Sequence, residues 1–289
     1  VIAAAGDIAC DPDSSNFNGG LGQSSACRQK YTADLMLGMS NLQAVLALGD
    51  NQYYCGGYSA FTQSYDLSWG KLKSITHPVV GNHEYLTSGG TGCDQSNLGG
   101  AGYFKYFGAA AGDPTQGYYA FNIGSWRLYA LNSNCSAAGG CSATSPQGQW
   151  LAADLAANPR TCVLAYWHIP LWSSGGRAAA NTKALTQILY NAGADVVLTG
   201  HDHTYERFAP QDPNSNPDPT NGIRAWVVGT GGANHTSLSA LAPNSQVFNS
   251  NTFGVLKLTL HADSYDWQFI PATFTGNGTF TDSGTASCH

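Results

Sequence analysis

The sequence predicts an α/β layered fold, and two observations predict it. Short apolar runs alternate with segments of helical period, the pattern of a sheet covered by helices. Toward the C-terminus the strands follow one another without helices, so the sheet there is expected to be partly antiparallel. The first strand spans residues 1–6, VIAAAG, an apolar run closed by glycine. A helix over 26–39 leads to a second strand at 44–48, AVLAL, and a helix over 59–73 leads to a short strand at 78–80. Strands at 118–123 and 126–131 flank a Gly-Ser turn. The helix at 146–157 carries the strongest signal, with Ser145 as N-cap and Pro146 at the first helical position, where its missing N–H costs nothing. Strand 162–167, helix 178–192 and strand 195–198 follow, then strands at 223–228, 254–260 and 265–270. Residues 11–25, 86–101, 133–144 and 210–221 read as long surface loops, a length usually found at functional rims. Nothing forces a split, so residues 1–289 are expected to form a single domain.

Charged residues are only 10% of the chain while glycine numbers 35, so solubility rests on small polar residues, a composition that suits a loop-rich exported protein. The net charge of −6 and the lack of a Lys/Arg run argue against nucleic acid or anionic lipid as the main partner. A negatively charged substrate would need local help, for instance from bound cations. No apolar run reaches the roughly 18 residues that span a bilayer. The 8 cysteines contain no CxxC pair and read as four disulfides formed in an oxidising compartment. The expected pairs are Cys10 with Cys27, Cys55 with Cys93, Cys135 with Cys141 across a Gly-rich tip, and Cys162 with Cys288. The chain opens on VIAAAGD without a Met, as a secreted, extracellular protein would after losing its signal peptide. Sequons at Asn134, Asn234 and Asn277 mean glycans only in a source that glycosylates.

Five segments place metal-ligand side chains just after strands. AAAGDIAC carries Asp7, LALGDNQYYC carries Asp50, PVVGNHEY carries Asn82 and His83, VLAYWHIP carries His168, and VVLTGHDHTYER carries His201 and His203. Ligands bind in the crevice beyond the carboxyl ends of α/β strands, so these five ends are expected to converge. One Asp or His after a strand is ordinarily a turn residue; five in order, four preceded by glycine, are hard to explain by turns alone. Carboxylates are hard ligands that can bridge two cations, imidazoles suit zinc or iron, and an Asn oxygen completes a shell without charge. Two cations about 3.5 Å apart can hold a bridging hydroxide as nucleophile and clamp the oxygens of an in-line displacement at phosphorus. Glycine before a ligand is expected to allow a sharp turn and leave room for the ions.

These blocks, read as GDIA, GDNQY, GNHEY, WHIP and GHDH, resemble the calcineurin-like metallophosphoesterase superfamily from Asp7 to Arg207, about two thirds of the chain. The resemblance implies an αββα sandwich of two mixed β-sheets flanked by helices, with a dinuclear metal centre at one edge. Ala9 stands where most members carry a His ligand. The purple acid phosphatase branch is similar in lacking that His and supplying a Tyr three residues after the bridging Asp, the spacing of Asp50 and Tyr53. The resemblance therefore implies Asp7, Asp50, Tyr53 and His203 around the first metal. It implies Asp50, Asn82, His168 and His201 around the second, with His83 contacting the phosphoryl or leaving-group oxygen. A hard tyrosinate favours Fe(III) at the first position, with Zn, Fe or Mn at the second. Tyr54 is expected to be packing.

Plant-type members carry histidines nine or ten residues beyond His168, where HIPLWSSGGRA here supplies Arg177 and Ala178. Arg177 can hold phosphate bidentately or be a plain surface residue, but a guanidinium is a poor proton donor. The general acid is left open among His83, His235 and metal-bound water. Asp202 and Glu206 are read as orienting ligands or as solvated loop carboxylates, and Tyr85, Trp167, Trp172 and Tyr205 as core or pocket wall. The function expected is a secreted acid phosphatase in which a metal-bound hydroxide attacks a small-molecule phosphomonoester in line, with Asn82 and His83 stabilising the transferring group. The alternatives are a phosphodiesterase acting on glycerophosphodiesters, phospholipid head groups or nucleotides, and a catalytically inactive metal-binding protein.

Overall fold

The apolar runs do become strands, because each is short and bounded by turn residues, and the central ones, at 2–5, 44–47, 163–166 and 196–199, are buried on both faces. The computed structural model describes residues 1–23 and 25–289; Ser24, inside the expected loop at 11–25, lies outside them. The strands are β1 (Ile2–Ala5), β2 (Ala44–Ala47), β3 (Thr76–Pro78), β4 (Tyr119–Ile123), β5 (Trp126–Ala130), β6 (Val163–Tyr166) and β7 (Val196–Thr199). After them come β8 (Tyr205–Phe208), β9 (Arg224–Val228), β10 (Ser245–Asn249), β11 (Gly254–Leu260), β12 (Ser264–Pro271) and β13 (Asp282–Ser287). The α-helices are α1 (Gln29–Leu37), α2 (Tyr58–Gln63), α3 (Ala101–Phe107), α4 (Pro146–Ala157) and α5 (Lys183–Asn191).

Two mixed sheets result, ordered β13-β12-β11-β1-β2-β3 and β10-β8-β9-β7-β6-β5-β4. The parallel pairs are β1/β2, β2/β3, β5/β6, β6/β7 and β7/β9, and the later strands pair antiparallel as expected. Side chains alternate along the second sheet with the period of a strand. Leu128, Leu164, Tyr166 and Leu198 face a core shared with Leu46, Leu256 and Leu258 of the first sheet. Tyr129, Val163, Ala165 and Val197 face Leu151 and Leu155 of α4 and Leu185 and Leu189 of α5. Met36, Phe61 and Phe107 bring α1, α2 and α3 into the core of the first sheet. The layers are thus helix, sheet, sheet, helix.

Several boundaries differ from expectation. The helix expected at 59–73 stops at Gln63 and continues as 3-10 turns over Tyr65–Leu67 and Trp69–Ile75, with Tyr65 N–H donating outside the helix to Gln52 Oε1 at 3.0 Å. The strand expected at 78–80 lies at Thr76–Pro78, paired through Ala47↔Pro78. Strands β8, β10 and β13 and helix α3 were not expected; β10 and β13 are polar edge strands without an apolar run. Helix α4 begins as expected, with Ser145 Oγ accepting from Gly148 N–H at 3.2 Å. All four expected disulfides are present. The sequon amides have structural uses: Asn277 Nδ2 donates to Phe253 O and Ala272 O, and Asn134 Nδ2 to Val80 O. Among the described residues, no helix is long and apolar enough to cross a membrane.

Candidate metal centre

Register brings the five blocks to one edge. Ala5, Ala47 and Pro78 are aligned partners in the first sheet, so Asp7, Asp50 and Asn82 leave it at one level. Tyr166 and Leu198 are partners in the second, so His168 and His201 leave that sheet together. Gly6 N–H donates to Val228 O at 2.8 Å, joining the two sheets at this edge. Asp7, Asp50 and His201 hold φ of 59°, 46° and 72°, a left-handed region that Asp and His enter more readily than most residues. Strained backbone at three clustered positions marks a functional site.

The glycines serve differently from the expected clearance for ions. A Cβ on Gly49 would lie 2.6 Å from His168 Nδ1, and one on Gly81 would lie 2.1 Å from Asp50 N and Oδ1. The room they leave is taken by neighbouring site residues.

Seven predicted ligands meet in two groups that share Asp50. In the first, Tyr53 OH lies 2.9 Å from Asp7 Oδ1, 3.0 Å from His203 Nε2 and 3.1 Å from Asp50 Oδ2. In the second, His168 Nε2 lies 3.1 Å from Asn82 Oδ1, 3.2 Å from His201 Nδ1 and 3.2 Å from Asp50 Oδ2. Each carboxylate divides its oxygens: Asp7 Oδ2 accepts from His201 N–H at 2.8 Å and Asp50 Oδ1 from His83 N–H at 3.0 Å, leaving the other oxygen for the centre.

Tautomers follow from the outer partners. His168 Nδ1 donates to Leu48 O at 2.8 Å and His203 Nδ1 to Asn234 Oδ1 at 2.8 Å, so in the neutral rings that a cation would bind both Nε2 lone pairs point inward. The inward atoms are then nearly all acceptors, and Tyr53 has one proton for three of them. Such converging lone pairs repel unless positive charge sits among them, so the donor set fits cations.

The electrostatics agree. Burial raises Asp7 and Asp50, but the imidazoles of His203 and His168 more than reverse it and hold both carboxyls below the usual range. Burial lowers His168, yet Asp50 pushes it up to about 9. Burial and the charge of His168 lower His201 to about 4. Burial, Asp50 and Asp7 raise the Tyr53 phenol well above its ordinary value. The protein alone therefore demands extra positive charge here, which is what a bound cation supplies.

The remaining expected residues divide. His83 sits at the rim, its Nδ1 donating to Tyr54 O at 2.7 Å and its Nε2 3.9 Å from Asp50 Oδ2. Arg177 is half exposed beside the site, with Nη1 3.3 Å from His201 O. His235 lies against Phe253 at 4.0 Å with its ring tilted by 34°, and among the described residues neither ring nitrogen has a hydrogen-bond partner. Tyr54 does not fill the core: it is 45% exposed and meets His83 edge-on at 4.7 Å. Asp202 and Glu206 are neither solvated nor bonded to a ligand side chain. Asp202 accepts from Ser173 Oγ at 2.5 Å and Arg177 N–H at 3.2 Å, and Glu206 from Ser174 N–H at 2.8 Å, so they fix the segment that carries Arg177. Trp167 and Tyr205 are core, and Trp172 is buried. Tyr85 is half-buried, its OH accepting from Asn132 Nδ2 at 2.9 Å.

Two residues escaped the sequence reading. Asn234, which orients His203, had only the sequon as a flag. Glu84 is fully buried and accepts four backbone N–H groups, from Gly81 (2.6 Å), Asn51 (2.7 Å), Asp50 (3.1 Å) and Gln52 (3.1 Å). It ties the GNHE turn to the GDNQ turn. A further trio, Cys162, Asp195 and Cys288, is close enough to ligate a metal, but both sulfurs are consumed in a disulfide.

Known proteins share parts of this chain. Residues 2–205 match the family model described as calcineurin-like phosphoesterase. Purple acid phosphatase 22 of Arabidopsis thaliana is 31% identical over 146 residues, 47% of this chain and 32% of that protein. Acid phosphatase A of Cryphonectria parasitica is 29% identical over 157 residues, 49% of this chain and 30% of that protein. The purple acid phosphatase PPD1 of yellow lupin (Lupinus luteus) seeds superposes with a TM-score of 0.75 at 19% identity, covering 99% of this chain and 53% of that one. The chain thus spans about a third of the length of these curated relatives.

Proposed function

The chain belongs to the calcineurin-like phosphoesterase family, and on that footing we propose that it is a secreted, dinuclear metal-dependent acid phosphatase of the purple acid phosphatase type. The observation that carries the proposal is the pair of donor groups sharing Asp50 Oδ2, 3.1 Å from Tyr53 OH and 3.2 Å from His168 Nε2. Asp7, Tyr53 and His203 would hold one ion, Asn82, His168 and His201 the other, and Asp50 both. The phenol favours Fe(III) in the first group, and the two imidazoles and amide suit Zn, Fe or Mn in the second. Bound there, two cations supply Lewis acidity toward water and phosphoryl oxygen.

The chain's own residues do the rest. Asp7 and Asp50, held ionised by the imidazoles of His203 and His168, supply negative charge against which a metal pair would be held, and the pair would in turn make the pocket receptive to a phosphoryl group. Arg177 offers two parallel N–H donors to a phosphoryl oxygen pair from the rim. His83, fixed by the Tyr54 carbonyl, turns Nε2 toward the pocket and can hold a proton for the departing oxygen. His235, whose ring nitrogens have no partner among the described residues and whose ring lies against Phe253, is the second candidate for that task. Four disulfides support folding in an oxidising, extracellular compartment.

The test is parallel turnover of nitrophenyl phosphate and bis-nitrophenyl phosphate by protein of measured metal content. Preferential hydrolysis of the monoester, lost on chelation and regained on reloading, is expected. Preference for the diester would make it a phosphodiesterase, and turnover of neither by protein holding two metals would make it a binding protein.

A further inference from the structure

Tyr54 is an exposed aromatic ring held in place next to the residue proposed to serve the leaving group. From the donor cluster outward, Tyr53 lies ring-to-ring with His83 at 4.6 Å, and His83 with Tyr54 at 4.7 Å and 90°. The ring of Tyr54 is therefore two ring contacts from the cluster, on the solvent side of His83, and 45% exposed.

Its position is built. A Cβ on Gly89 would come within 2.5 Å of Tyr54 Cδ1, and one on Gly90 within 3.0 Å of Tyr54 Cβ, so the glycine pair lies directly against the side chain. That loop is itself fixed. Asp11 Oδ2 accepts from Thr91 N–H at 2.7 Å, Thr91 Oγ1 donates to Asp11 Oδ1 at 2.8 Å, and the Cys55–Cys93 disulfide closes it. An exposed ring supported in this way has little entropy left to lose when a second ring stacks on it.

We propose that Tyr54 sets the leaving-group preference of the site, favouring phosphoesters of phenols over those of aliphatic alcohols. The inference rests on the phosphoester hydrolase reading above. With the phosphoryl group at the donor cluster, the ester oxygen lies toward His83 and its substituent continues outward past Tyr54. A planar aryl group can stack there, and an alkyl group of few carbons cannot cover the same area.

Phenylphosphonate and methylphosphonate, which are not hydrolysed, separate binding from chemistry. Their affinities for the metal-loaded protein are measured by calorimetry, alongside kcat/KM for phenyl phosphate and propyl phosphate. In Tyr54→Ala, the affinity ratio of phenyl- to methylphosphonate and the kcat/KM ratio of the two esters should each fall about 2- to 10-fold, the scale of an aromatic pair. Tyr54→Phe should keep both ratios. Unchanged ratios in Tyr54→Ala, with both esters still hydrolysed, would overturn the role of Tyr54 and leave the phosphatase reading standing. Failure of the unaltered protein to bind either phosphonate or cleave either ester would overturn both.

Discussion

Glu84 offers the sharpest test of how the site is held, because one buried carboxylate serves both turns that carry Asp50 and Asn82. Its Oε1 accepts from Asn51 and Gln52 N–H, and its Oε2 from Asp50 and Gly81 N–H, all within 3.1 Å. Glu84→Gln preserves shape but replaces one oxygen with an amide NH2, so whichever way the amide turns, two backbone N–H groups lose their acceptor and face a donor. Each unsatisfied buried donor costs about 1–3 kcal/mol, so the substitution should cost about 2–6 kcal/mol, a large part of a typical domain's stability. In either orientation the freed amides, Asp50 and Gly81 or Asn51 and Gln52, loosen the GDNQ turn beside Asp50, and metal affinity should fall about 10- to 100-fold, the usual effect of losing a supporting partner. Urea unfolding of metal-free protein reads the first effect, and metal retained after dialysis against a weak chelator reads the second. A loss below about 1 kcal/mol with metal retention unchanged would refute the reasoning, since it would mean these amides find other partners.

Three further outcomes are expected. Iron-loaded protein should absorb visible light through charge transfer from Tyr53, and Tyr53→Phe should abolish the band while the far-ultraviolet circular dichroism stays unchanged; a persisting band would remove Tyr53 from the ligands. Asp195 is raised by burial from the ordinary value of 3.8 to about 6, with His289 Nδ1 3.2 Å away. The folded state therefore binds this proton more tightly than the unfolded chain, so the associated stability is full below pH about 4 and is lost as pH rises through about 6, a difference of about 3 kcal/mol. Unfolding curves of Asp195→Asn at pH 4 and pH 7 should differ by correspondingly less than those of the parent. The Cys162–Cys288 disulfide closes a separation of 126 residues, and the double substitution to Ser should cost about 2–5 kcal/mol, measured by chemical denaturation.

The parts whose meaning is local can be read from the residues. Asp7, Asp50, Asn82, His168, His201 and His203 are legible because each is a ligand-type side chain at the end of an apolar run, and Tyr53 only through the family resemblance, in which Ala9 stands where most members carry a His. The alternation of β5, β6 and β7 and the cap of α4 are legible for the same reason, since neighbours a few residues apart settle them. That Asp50 Oδ2 faces both groups, that Asn234 orients His203 and that Glu84 gathers four amides is visible in the folded chain alone. It also separated two adjacent tyrosines, sending Tyr53 into the cluster and Tyr54 to the rim. The physical reason is that a side chain's chemistry belongs to its own residue, whereas the direction of a lone pair, the partner of a buried carboxylate and the exposure of a ring depend on groups brought together from distant parts of the chain. His203 and Asn234 are 31 positions apart, and Asp7 and His201 are 194.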